Sequence, residues 1–149
     1  MKYALFFALA ICVYTSFSQP FQLRINEVNN SFSPAIHSGA FVVHDDKWVM
    51  VGGRKNGLHG FHPPFAFPTS GVNDSIFVCD VAANQRWSAS VENLPDSIRE
   101  AITSSNMEFF SDGGMLYMIG GYGWKEELQN FITWPTLTAI DLNGLTAAV

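Results

Sequence analysis

His59 and His62 stand three residues apart in the segment Asn56-Gly57-Leu58-His59-Gly60-Phe61-His62-Pro63-Pro64-Phe65-Ala66-Phe67-Pro68, and two imidazoles at that spacing could both ligate zinc or copper. No carboxylate or cysteine lies beside them, however, and His-Pro-Pro is an extended rather than a helical run, so nothing makes the two rings converge. No metal site and no cofactor is expected from this pair. What the segment does offer is an aromatic surface: Phe61, Phe65 and Phe67 either tuck against the body of the domain or face a protein or glycan partner. Glu126-Glu127, next to Trp124 and Lys125, could in principle do acid–base work on a sugar, but no partner carboxyl at a defined spacing accompanies them, and a solvated pair is the simpler reading. Cys79 falls within an apolar strand pattern and reads as a buried, inert thiol. His37 reads as a hydrogen-bonding residue near a strand start, and Asp45-Asp46 and Asp112 as turn residues. Neither a nucleophile elbow nor a phosphate-binding glycine loop occurs, so no catalytic residue is assigned. The candidate binding residues are His59, Phe61, His62, Phe65, Phe67 and Trp124.

These residues need a frame, and the frame is repetitive. Phe41-Val42-Val43-His44-Asp45-Asp46-Lys47-Trp48-Val49-Met50-Val51-Gly52-Gly53 aligns without a gap on Phe109-Phe110-Ser111-Asp112-Gly113-Gly114-Met115-Leu116-Tyr117-Met118-Ile119-Gly120-Gly121, at a constant offset of 68 residues. Each copy reads apolar pair, polar turn, four apolar residues, Gly-Gly. Such a unit rarely buries its own apolar faces and therefore implies neighbours. Turn-forming residues recur every eight to twelve positions, which predicts an all-β chain of short strands. Strands are expected over 35–43, 47–53, 75–81 and 86–91, then over 106–111, 115–121 and 136–142, with a half-exposed strand over 21–28 and one or two helical turns over 96–103. Four strands joined in sequence form an antiparallel meander. Its short turns leave one end, and its long connections (54–74, 92–104 and 122–135) leave the other, which makes that second end the expected functional face.

The chain resembles the Kelch family of β-propellers on these features: Gly52-Gly53 and Gly120-Gly121 each follow four apolar residues, Tyr117 precedes its glycine pair by three positions, and Trp87 follows Asp80 by seven. The resemblance spans about 35–142 and implies two four-stranded blades, about 35–91 and 105–149, of an incomplete propeller, with 21–28 as a possible ring-closing strand. It implies structural roles for Gly52, Gly53, Trp87, Tyr117, Gly120 and Gly121, with the two large aromatics filling the wedge between blades. The first unit departs from the pattern at Val49, where the family favours an aromatic. The second reaches Val149 before a counterpart of Trp87. The function implied is a binding or interaction module for a protein or glycan. The alternative is part of a secreted propeller enzyme acting on carbohydrate, an oxidase or a sialic-acid enzyme.

The N-terminus carries Met1-Lys2, an apolar run from Tyr3 to Tyr14, and small residues at Ser16 and Ser18, the pattern of a secretory signal peptide cut after Ser18. The run is too short for a bilayer span, and Ile11 before Cys12 is unlike a lipoprotein site. Export to the periplasm, cell surface or medium is therefore expected, with no transmembrane segment in the mature chain, 19–149. Cleavage at that point leaves one cysteine and hence no internal disulfide. At 48% apolar and 14% charged residues the 149-residue chain can build a core, and a net charge of −5 without a Lys/Arg cluster excludes the electrostatic footprint of a nucleic-acid binder.

Overall fold

A computed structural model of the chain describes residues 21–26, 31–57 and 66–149. Strands β1 (Ala40–His44), β2 (Lys47–Val51), β3 (Ser75–Asp80) and β4 (Gln85–Ser90) form a four-stranded antiparallel meander in sequential order. A short helix, Asp96–Ile102, leads to β5 (Glu108–Asp112) and β6 (Met115–Ile119); the hairpin β7 (Tyr122–Lys125) and β8 (Asn130–Thr133) follows as a separate two-stranded sheet. Strand β9 (Leu137–Asp141) then pairs with β6 to complete a second sheet of order β5-β6-β9, and the helix Leu142–Ala148 follows it. The described chain is thus mostly antiparallel strand with little helix.

The two tight hairpins have the backbone their residues permit. Asp45 and Asp46 take φ of 47° and 60°, and Gly113 and Gly114 take 56° and 81°, so each turn has two consecutive left-handed residues. That geometry matches the twist of the strands it joins and is open to glycine and, at a cost, to aspartate. In the first sheet the register aligns Val42, Val49, Val78 and Trp87 in one row. This face carries the core: Ala40, Val42, Val49, Val51, Ile76 and Val78 pack with Leu116 and Met118 of the second sheet, together with Ile102, Met107 and Leu142. The opposite face carries Phe41, Val43, Trp48, Met50, Phe77 and Cys79. Phe32 closes over Trp48 with ring centroids 6.3 Å apart, Cys79 is fully buried, and burial pushes its thiol pKa up.

Three expectations from the sequence are corrected. Phe21–Asn26 alternates like a strand but belongs to none, and Phe21, Leu23 and Ile25 are all more than three-quarters exposed; no sheet edge pairs with it, and an alternating segment without a partner gains no ladder. Residues 27 and 28 of that expected strand lie outside the described residues. Trp87 lies in the core-facing row of the outermost strand and is 39% exposed. Residues 122–135 are not a plain connection but hold the β7-β8 hairpin. The first strand begins at Ala40, not near Ala35, because His37 makes only an isolated bridge to Arg54.

The connection from β2 to β3 is fastened at both ends. Asn73 is fully buried; its Nδ2 donates to the carbonyls of Gly52 (2.9 Å) and Ser75 (2.8 Å), and its Oδ1 accepts the Ser75 amide. Asn73-Asp74-Ser75 matches the N-glycosylation sequence Asn-X-Ser, but in the folded chain the Asn73 side-chain amide is buried and already hydrogen-bonded. Beside it Lys55 Nζ and Asp74 Oδ1 lie 3.0 Å apart, and this bond holds the Asp74 carboxyl below the usual carboxylate range. A carboxyl whose folded pKa is depressed stabilises above its unfolded value, and that contribution is lost as pH falls through the folded pKa. The pair is half exposed, so Asp74→Asn is expected to cost at most about 1 kcal/mol at pH 7 in urea unfolding. The difference from the unmodified protein should close as the pH falls below the depressed Asp74 pKa; a gap that persists unchanged there would mean the cost is not electrostatic.

Candidate functional site

Both long connections leave the same end of their sheets, and the residues behind them decide where they go. The β2 strand exits through Gly52-Gly53 into Arg54, which is 3% exposed and exchanges backbone hydrogen bonds with His37. Its side chain turns back into the connection: Nε donates to Asn56 Oδ1 at 2.9 Å, Nη2 donates to the Pro68 carbonyl at 2.5 Å, and the guanidinium lies 5.4 Å from the centre of the Phe67 ring. Burial lowers the Arg54 pKa from its ordinary value, but guanidinium remains the residue type best suited to three such contacts at once. Arg54 is thus the peg on which 66–71 hangs.

The hairpin from the second sheet is fixed by Ser105 and Tyr122, which exchange backbone hydrogen bonds of 3.0 and 2.7 Å, and by the Trp134 amide donating to the Gly121 carbonyl at 2.8 Å. Because Trp124 pairs with Phe131 across the hairpin, the alternation Tyr122, Trp124 and Phe131 puts three rings on one face. Phe67 meets them edge-on, 5.2 Å from Tyr122, while Tyr122 and Phe131 stack at 5.5 Å and Trp124 stands edge-on to Phe131 at 5.2 Å. One connection from each sheet therefore contributes to a single aromatic cluster.

Between them lies an open groove of about 540 Å³, with Phe67, Thr69 and Ser70 on one wall and Tyr122, Trp124 and Asn130 on the other. Its lining is apolar with a few hydroxyl and amide groups, the usual make-up of a small-ligand site. The Trp124 indole is held in place: Nε1 donates to Glu126 Oε2 at 2.7 Å, and Gln129 Nε2 donates to Glu126 Oε1 at 2.7 Å. These two donors keep the Glu126 carboxyl below its ordinary pKa, so the anchor is ionised across the neutral range. Glu126 is therefore a positioning group for Trp124, and Glu127 pairs with Lys125 at 3.1 Å.

Of the six candidate binding residues, Phe67 and Trp124 come together in this groove. His59, Phe61, His62 and Phe65 lie outside the described residues, as does the expected leader, 1–18. Among the described residues no group of three or more His, Cys, Asp and Glu side chains could hold a metal ion, and no helix is long and apolar enough to cross a membrane. Tyr122 and Phe131 were not singled out from the sequence. The signal that would have found them is the pair Tyr122-Gly-Trp124 and Phe131 about a polar turn, an alternation obscured by the short length of the strands. Of the repeat residues, Tyr117 stacks on Phe110 at 4.9 Å, and the two glycine pairs all have positive φ, between 67° and 100°. No family model, curated protein or solved structure matches the chain.

Proposed function

We propose that the chain is an exported, Kelch-like propeller fragment of two blades that acts as a binding module, taking a glycan or a protein segment in the groove at its loop end. The observation that carries this reading is the shared groove itself: Phe67 from the connection of the first sheet and Tyr122, Trp124 and Phe131 from the hairpin β7-β8 line one concavity at the end where the long connections gather. Aromatic faces flanked by Thr69, Ser70 and Asn130 suit the apolar face and hydroxyls of a sugar ring, and equally a partner's aromatic or aliphatic side chain. The blade reading is supported by the sequential meander of the first sheet and by the gapless repeat.

The test is a panel of neutral and sialylated oligosaccharides together with a peptide library, screened against the protein, the Phe67→Ala/Trp124→Ala variant and Gln85→Ala at the opposite end of the sheet. Hits are expected to lose about tenfold or more in affinity in the first variant and nothing in the second. Equal losses in both, or loss only from Gln85→Ala, would remove the groove from consideration.

A further inference from the structure

The repeat offset and the sheet registers together say how the two sheets stack. The first sheet buries Val42, Val49 and Val51 at the interface, whereas the second buries Leu116 and Met118. At an offset of 68 the equivalents of Val42, Val49 and Val51 are Phe110, Tyr117 and Ile119, and the equivalents of Leu116 and Met118 are Trp48 and Met50. The two sheets therefore meet through opposite faces of the repeat, so the contact is head-to-tail. A head-to-tail contact leaves one face of each kind outside it. On the second sheet that face carries Phe110, Tyr117, Ile119 and Leu137, of which Phe110, Ile119 and Leu137 are 52%, 49% and 64% exposed. On the first it carries Phe41, Val43 and Trp48; Phe32 covers part of Trp48 and Met50 and Cys79 behind it are buried, so the open part is the β1 side, with Phe41 and Val43 42% and 57% exposed.

We propose that these two faces bind each other in trans, the first-sheet face of one copy of the chain seating on the second-sheet face of another. The occupant is a second copy because each face is the repeat-equivalent of one already buried in the internal contact, so the complementary surface is present on the chain itself. Charge agrees with this pairing. Arg86 is the only formal charge among the paired strand residues of the first-sheet face, whereas Glu108, Asp112 and Asp141 lie on the second-sheet face with no cation. The contact is heterologous, so it adds copies in one direction and ends only if the ring closes.

Sedimentation velocity of the purified full chain over a range of concentrations tests this, with Val43→Glu blocking one face and Leu137→Glu the other. The unmodified protein is expected to form species larger than a dimer as concentration rises. Each variant alone should associate at least about tenfold more weakly, and a mixture of the two should regain a one-to-one dimer through the face left intact on each. A monomer at every concentration, association unaffected by either variant (as the apolar run 3–14 would produce), or loss in both without recovery on mixing would overturn the proposal. If a variant fails to match the far-ultraviolet circular dichroism of the unmodified protein, hydroxyl-radical footprinting of the unmodified chain decides. Phe41 and Phe110 should become protected together as concentration rises; protection of one without the other, or of neither, contradicts a head-to-tail contact.

Discussion

Gly53→Ala is expected to cost about 4 kcal/mol and lower the melting temperature by on the order of 15 °C, whereas Gly120→Ala should cost about 1 kcal/mol. Both glycines have positive φ, 80° and 71°, so both changes carry backbone strain. The difference is space. A Cβ on Gly53 would lie 2.5 Å from the His37 carbonyl oxygen and 2.6 Å from the Gly39 amide nitrogen, and neither backbone atom can give way cheaply. On Gly120 the nearest atom is the Trp134 carbonyl oxygen at 3.7 Å, an ordinary contact. Gly52 resembles Gly53, since its Cβ would run into the Ile102 carbonyl and approach the Ser104 carbonyl to 2.9 Å. Thermal melts of the two alanine variants check the contrast. Equal shifts would mean that the glycines matter only for their conformational freedom and not for the close approach of residues 37–39, the segment leading into β1.

Arg54→Met is expected to destabilise the protein by about 3 kcal/mol and also to loosen the groove wall. The methionine keeps much of the stem's packing but leaves Asn56 Oδ1 and the Pro68 carbonyl without their charged donor, and hydrogen bonds to charged groups are among the costlier to remove. Phe67 simultaneously loses the cation beside its ring. Urea unfolding measures the first effect. The second should appear as faster amide hydrogen exchange over 66–72 with the hairpin 122–133 unchanged. If exchange over 66–72 matched the unmodified protein, Arg54 would be a core residue with no part in shaping the groove.

Much of this architecture was legible in the sequence because it rests on local pattern. Strands β2, β3 and β6 hold the apolar runs Trp48–Val51, Ile76–Cys79 and Met115–Ile119 after turn residues, and the helix Asp96–Ile102 follows Leu94-Pro95 with the Asp96–Arg99 pair three residues apart. The parts that were not legible depend on partners. The β7-β8 hairpin turns through Glu126–Leu128 and then Gln129 at φ of 48°, a left-handed glutamine that no turn rule marks. The helix Leu142–Ala148 contains Gly144, a poor helix former. It forms because the Asp141 side chain accepts the Asn143 amide and Leu142 is buried against the core, with His44 Nε2 bonded to Asn143 Oδ1 at 3.0 Å from the other sheet. Likewise, nothing short of the tertiary fold brings Phe67 within reach of a hairpin more than fifty residues away.

Ligand recognition at the loop-end groove is tested most directly by the indole N–H resonances of the four tryptophans, recorded by nitrogen-15 NMR while the oligosaccharide panel is titrated in. Trp124 lines the groove, Trp48 lies on the outer face of the first sheet, and Trp87 lies on its outermost strand. The expected result is a saturable shift of the Trp124 signal with Trp48 and Trp87 unmoved. A saturable shift of Trp48 or Trp87 while Trp124 stays in place would contradict the assignment and move the binding surface to the sheets.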